Sequence, residues 1–346
     1  MAGAAPLCVT QGDPSGIGPD LVLALALEAG RRGAEPDGAP LILLADPDMV
    51  RRRARLLGVA LDIVVAAPEE AASIWPRALP VAPLEARAEG EPGAPSVGDA
   101  AATIEAIETA VQWTAAGRTA GVVTNPIAKS ILYAAGFRHP GHTEFLGELA
   151  QKFFGVACRP VMMIWSRELA VVPATIHIPL SEVPQRLKTD DLIAIGTIVA
   201  QALQRDFGVA MPRLAFAGLN PHAGEDGAMG REDIEIVAPA VAALQAQGIV
   251  ARGPLPADTM FHSAARKSYD AAIGMYHDQA LIPVKTLAFD TGVNVTLGLP
   301  FIRTSPDHGT AFDLAGTGYA SPASLREAIA LAGRMAQARG RARERI

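Results

Sequence analysis

The chain repeats one pattern. A short apolar run ends in a cluster of Gly, Pro, Asn, Asp or His, and a segment with helical spacing follows. Residues 6–12 (PLCVTQG) read as a strand broken by Pro14, Gly16, Gly18 and Pro19, with a helix expected over 20–29. Residues 41–45 (LILLA) read as a second strand before a helix over 48–57, and 61–66 as a third. Ile104, Ile107 and Val111 recur at helical spacing within 99–116, and the strand GVVT follows at 121–124. Further strands are expected over 160–165, 170–176, 213–217 and 270–275. Near-continuous apolar strands separated by helices describe an α/β chain of largely parallel sheets with helices on both faces. Residues 66–99, rich in Pro, Ala and Glu, read as an irregular surface excursion. The arginine runs at 51–55 (RRRAR) and 339–345 (RGRARER) read as a solvated helix face and a frayed end.

Composition narrows the classes. The 346 residues suffice for two domains, and a hydrophobic share of 50% excludes wholesale disorder. A net charge of -6 argues against nucleic acid or an anionic membrane as the main partner. No apolar stretch approaches the roughly 20 residues of a membrane span, and the N-terminus lacks a secretory pattern. Cys8 and Cys158 are too few for a disulfide framework or a cysteine zinc site, so a reducing, cytoplasmic setting is expected.

The histidines carry the most information. His177, His222 and His277 each fall just past the carboxyl end of an expected strand, the edge where open α/β sheets gather ligands. They lie 45 and 55 residues apart, too far for a finger-type site but natural for one ligand per strand. Three imidazoles suit a catalytic cation with open positions, zinc or cobalt by softness. Each histidine taken alone reads equally as a hydrogen-bonded loop residue.

Groups suited to an anion surround them in the sequence. Lys285 lies eight residues beyond His277, Arg303 sits in LGLPFIRTSPDHG, and Lys129 in TNPIAKS. Asn294 follows Thr291 and Gly292 in an expected loop. His142 and Thr143, in PGHTEF, stand at a turn before a helix, where amides and a hydroxyl could hold phosphate. The other reading makes Lys129, Lys285 and Arg303 members of surface ion pairs. Asp258, in GPLPADTMF, could relay a proton or cap a helix beginning near Thr259. Asp13 and Asp278 are the other loop carboxylates. GDPSGIGPD at 12–20 matches neither a Walker loop nor the G-x-G-x-x-G fingerprint, and reads as either a structural turn or a binding loop.

Together TQGDPSGIGPD, TNPIAKS, GHTEF, GLNPHAGEDGAMGREDIE, GPLPADTMF, MYHDQALIPVK and GVNVTLGLPFIRTSPDHGTAFDLAGTG resemble the 4-hydroxythreonine-4-phosphate dehydrogenase family of vitamin B6 biosynthesis. The resemblance implies a two-domain fold similar to isocitrate and isopropylmalate dehydrogenases, with the active-site cleft between domains. It places residues 1–130 with 300–346 in one domain and 131–299 in a second that carries the metal ligands and a homodimer interface. It implies His177, His222 and His277 as ligands of one divalent metal, and His142, Thr143, Lys285, Asn294 and Arg303 as substrate contacts. It also implies His308, Gly309, Thr310 and Ala311 as contacts of NAD or NADP. The implied reaction oxidises 4-phosphohydroxy-L-threonine to 2-amino-3-oxo-4-(phosphooxy)butanoate, which decarboxylates to 3-amino-2-oxopropyl phosphate. Asp258, Lys285 and His142 are the candidate catalytic groups. Two alternatives stay open: a paralogue acting on threonate or erythronate 4-phosphate or a dihydrodiol dicarboxylate, and a phosphate acyltransferase.

Overall fold

The computed structural model describes residues 5–32, 39–139 and 141–343. The chain begins β1 (Leu7–Thr10), α1 (Gly18–Arg32), β2 (Leu41–Ala45), α2 (Pro47–Leu56), β3 (Ile63–Val65), α3 (Ala71–Ile74) and β4 (Leu79–Pro83). It continues with α4 (Ala100–Ala115), β5 (Gly121–Val123), α5 (Lys129–Ala134), α6 (His142–Phe154), β6 (Val161–Trp165) and β7 (Ala170–Pro173). Next come α7 (Val183–Arg186), α8 (Thr189–Phe207), β8 (Arg213–Ala217), α9 (Ala238–Ala246), β9 (Val250–Leu255), α10 (Ser263–Arg266) and β10 (Ala271–Gly274). The last elements are α11 (His277–Ala288), β11 (Val293–Leu297), β12 (Arg303–Pro306) and α12 (Ala323–Arg343).

The chain divides into two compact units, Met1–Pro160 with Leu299–Gln337, and Val161–Gly298 with Ala338–Ile346. In the first, the strands run β3-β4-β2-β1-β5-β12, parallel throughout. Every residue of β1, β2, β5 and β12 is buried, which requires cover on both faces and explains the apolar runs of β1, β2 and β5; β12 (RTSP) is buried although polar. In the second unit the order is β11-β6-β7-β10-β8-β9, parallel from β7 to β9. There β6 runs antiparallel to both of its neighbours. No helix among the described residues is long and apolar enough to cross a membrane.

The structure corrects several expectations. The segment 66–99 is not an irregular excursion. It contributes β4, which lies between β3 and β2 with Leu79 and Val81 fully buried. Pro80 and Pro83 remove two amide donors from that strand and disguise it in the sequence. The first unit extends to Pro160, past the expected border at 130, because Phe145, Leu146 and Leu149 of α6 pack into the same core as Ala102, Ile107 and Val111 of α4. Strands β9, β11 and β12 were not expected, and Asn294 lies on β11 opposite Ile164 rather than in a loop. Arg53 is no solvated residue: α2 turns Met49, Val50, Arg53 and Ala54 inward together. Nor is the C-terminal run frayed up to Arg343. Arg339 pairs with the buried Asp206, which Arg205 also holds; residues 344–346 lie outside the described residues.

Candidate active site

In the second unit, pairing of β10 with both β7 and β8 makes these three strands adjacent. The carboxyl ends of β7, β10 and β8 lead into His177, His277 and His222 respectively. The β7–β10 register continues past the strands, where Ala174 N donates to Gly274 O (2.7 Å) and Thr175 Oγ1 to Met275 O (2.8 Å). The His177 and His277 ring centres are 5.8 Å apart. Both line a 270 Å³ cavity with Thr175, Leu180, Tyr276 and Asp278.

His277 opens α11, and its Nδ1 lies 2.7 Å from Asp278 Oδ1. That carboxylate orients the ring and leaves Nε2 available. Gln279 joins two strand ends, accepting from Met275 N (2.6 Å) and donating to Gly218 O (2.7 Å). Beyond β8, the buried Asp233 accepts from Leu219 N (2.7 Å) and Asn220 N (3.0 Å), steering the chain into a left-handed run from His222 to Asp226. His177 and His222 both have φ of 54°. Non-glycine residues in this region carry strain and concentrate where a side chain must be aimed.

Two imidazoles of this unit suit a shared divalent ion. With metal–nitrogen bonds of about 2 Å and a ring nitrogen about 1.1 Å from its centre, such rings stand about 5–6 Å apart. His222 does not complete the set: its Nδ1 lies 3.5 Å from Glu225 Oε1, and its side chain is 59% exposed. Among the described residues no three His, Cys, Asp or Glu are grouped to hold one ion. Lys285 projects from α11 with Nζ 5.5 Å from the Phe289 ring, and Asn294 sits on β11. Asp258 is exposed and caps no helix. The turn at 256–259 leads instead to α10, whose cap is His262.

The first unit holds a separate polar cluster. Arg303 opens β12 and is 5% exposed, so it is not a member of a surface pair. Its Nε and Nη2 donate to Thr124 Oγ1 (3.2 and 2.7 Å), and Nη2 lies 3.4 Å from His142 Nδ1. Burial pulls the Arg303 guanidinium down to about 10, which leaves it charged near neutrality. Burial, followed by the charges of Arg303 and Lys129, holds His142 well below the usual histidine range. His142 is therefore neutral. With Nδ1 accepting from Arg303, its proton sits on Nε2, an enclosed donor with no partner among the described residues. His142 and Thr143 are the first residues of α6 itself, whose N-terminal amides add positive potential. An orphaned donor beside two cations and a helix N-terminus suits an anion.

Also in this unit, His308, Gly309 and Ala311 are exposed and Ala311 is left-handed, while Thr310 O accepts from Ile17 N (3.0 Å). The loop is thus exposed but anchored by its backbone to the turn before α1. GDPSGIG is its platform: a Cβ on Gly16 would stand 3.0 Å from Thr310 O. The roles of Thr124, Gln279 and the Asp233 clamp were not legible beforehand; only their places within TNPIAKS, MYHDQ and GREDIE hinted at them.

Comparison with known proteins shows the family. The model for the family "Pyridoxal phosphate biosynthetic protein PdxA" matches residues 37–332. A 4-hydroxythreonine-4-phosphate dehydrogenase of Xanthobacter autotrophicus is 55% identical over 342 residues, 99% of this chain and 96% of that relative. A solved 4-hydroxythreonine-4-phosphate dehydrogenase from Klebsiella pneumoniae is 37% identical with a TM-score of 0.85, covering 96% of this chain and 98% of the other. A terephthalate 1,2-cis-dihydrodiol dehydrogenase from Burkholderia xenovorans is 28% identical with a TM-score of 0.65, over 96% and 98%.

Proposed function

The chain belongs to the PdxA family of pyridoxal phosphate biosynthetic proteins, and on that premise we propose that it oxidises 4-phosphohydroxy-L-threonine with NAD or NADP and a divalent cation. The observation that carries this reading is the set of three histidines following three adjacent parallel strands, two of them with ring centres 5.8 Å apart.

His177, His222 and His277 would hold the cation, and His308, Gly309, Thr310 and Ala311 the nucleotide. When bound, the cation (zinc, cobalt or magnesium) supplies a Lewis acid that acidifies an alcohol, and the nicotinamide supplies a hydride acceptor. Asp278 keeps the His277 ring oriented with Nε2 outward. In the first unit, Arg303 offers a charged fork to phosphate or carboxylate, and neutral His142 donates through Nε2. Thr143 and the α6 amides bind the same anion. In the second unit, Lys285 and Asn294 are the substrate contacts, and Asp258 or Lys285 takes the proton from the C3 hydroxyl. The product is a β-keto acid, 2-amino-3-oxo-4-(phosphooxy)butanoate. Its loss of carbon dioxide gives 3-amino-2-oxopropyl phosphate. A cytoplasmic homodimer, in which the partner chain helps to complete each site, belongs to the same reading.

The likeness to the terephthalate dihydrodiol dehydrogenase favours a second reading, oxidation of a dihydrodiol dicarboxylate, since the Arg303 fork pairs with a carboxylate as readily as with phosphate. Initial rates of nicotinamide reduction separate the two. The first reading expects kcat/KM highest on 4-phosphohydroxy-L-threonine, above threonate 4-phosphate, erythronate 4-phosphate and the dihydrodiol. A dihydrodiol preference overturns it, and no reduction with any of these substrates overturns dehydrogenase activity itself.

A further inference from the structure

Helix α2 has a polar sequence, yet it places Arg53, 2% exposed, in the interior of the first unit. The guanidinium ties chain segments together. Nη1 donates to Gly16 O (3.0 Å) and to Asp20 Oδ2, and Nη2 donates to Pro14 O (3.0 Å) and Gly90 O (3.2 Å). The other oxygen of Asp20 accepts from Gly316 N (2.7 Å). One buried ion pair thus joins the turn at 14–16, the segment around Gly90 and the far end of the 308–316 loop. The near end of that loop is held at Thr310 O by Ile17 N (3.0 Å). Gly316 has φ of +74°, and a Cβ there would stand 2.9 Å from Leu56 Cδ2 and from Pro92 Cβ. The loop is pressed against the end of α2 with no room to spare. Buried ion pairs on average stabilise no more than apolar side chains of the same volume. Stability alone therefore does not account for a fork whose bonds go mainly to loop carbonyls.

We propose that Arg53 and Asp20 are positioning residues for the nicotinamide nucleotide, holding the 308–316 loop in its binding conformation before the nucleotide arrives. This rests on the assignment of His308–Ala311 to nucleotide binding. Neither side chain needs to touch the nucleotide; the pair acts through the backbone of the loop.

The test uses the full-length protein and the variants Arg53→Lys, which keeps the charge but loses the fork, and Asp20→Asn, which keeps the size but loses the charge. NADH affinity is read by fluorescence titration, Co2+ affinity by calorimetry, and loop order by hydrogen exchange of a peptide spanning 307–318. We expect the NADH Kd to rise roughly ten- to hundredfold, while Co2+ affinity, and kcat at saturating nucleotide, stay within about twofold. Exchange in 307–318 should quicken while peptides over β1 and α4 stay protected. If Arg53→Lys does not fold, Asp20→Asn decides by the same readings. Wild-type NADH affinity in a folded variant overturns the proposal. So does a parallel loss of NADH and Co2+ affinity, which marks a general structural role. A wild-type protein that binds neither NADH nor NADPH overturns the nucleotide assignment and this inference with it; a wild type that binds while the variants bind equally overturns the inference alone.

Discussion

Arg53 and Arg303, in the first unit, are 2% and 5% exposed and donate to carbonyls, a carboxylate or a hydroxyl of the protein itself. In the second unit the side chains of His222 and His277 are 59% and 40% exposed, and each has a carboxylate near Nδ1 only. The first arrangement is settled before any ligand arrives, because a buried planar fork with several acceptors has one geometry. The second leaves the rings largely exposed, so their geometry is less constrained by the fold. Charge buried in the first unit is held in place by the protein's own groups, whereas the second unit's exposed imidazoles are held on one side only.

The largest test of this contrast is His222→Ala. Turnover should fall by roughly three orders of magnitude with the thermal midpoint unchanged, since an exposed ring contributes little packing. An active variant free of metal, measured by steady-state kinetics and elemental analysis, would refute the metal role. Arg303→Lys addresses the other side. Losing the fork over Thr124 should raise KM for the phosphorylated substrate roughly ten- to hundredfold, with a smaller change in kcat. An unchanged KM would make Arg303 architectural.

Arg339→Met probes a buried charge with no proposed ligand. Burial pushes the Asp206 carboxyl up, but hydrogen bonds from Arg205 and Arg339 outweigh it and hold the group below the usual carboxylate range. Removing one partner should cost about 1–3 kcal/mol in urea melts and leave KM alone; a shift in KM would blur the distinction between the two kinds of charge. The smallest effect concerns pH. His142 stays neutral in the folded chain, whereas in the unfolded chain it takes up a proton near its ordinary value of 6.5. Its contribution to stability is complete above that pH and declines as pH falls below it. The thermal midpoint of His142→Asn should therefore drop less on acidification than that of the wild type. Parallel curves would mean that His142 is not held neutral.

Much of this was legible in the chain. Unbroken apolar runs announced buried parallel strands, and β1, β2 and β8 lie within the expected runs. The histidines were found by their position after such runs, which is a local pattern. Arg53 was misread because RRRAR looks uniformly polar, and only the phase of α2, set by Met49 and Val50, shows that the third arginine faces inward. The strand β4 was lost to its two prolines. For Asp258 the sequence left a proton relay and a helix cap open; the cap is not formed, because the chain at 256–259 makes a turn after β9 and α10 starts only at Ser263.

The sequence by itself determined the strand-and-helix alternation and the placement of imidazoles at strand ends, because both follow from side-chain period and breaker residues within a few positions. Tertiary structure alone decided that β7, β10 and β8 are neighbours, that Arg303 meets His142, and that Asp20 and Arg53 tether a loop nearly three hundred residues away. Those outcomes depend on pairings between distant segments. Their free energy comes from burial and hydrogen bonds that exist only once the whole sheet has formed, so no local pattern encodes them.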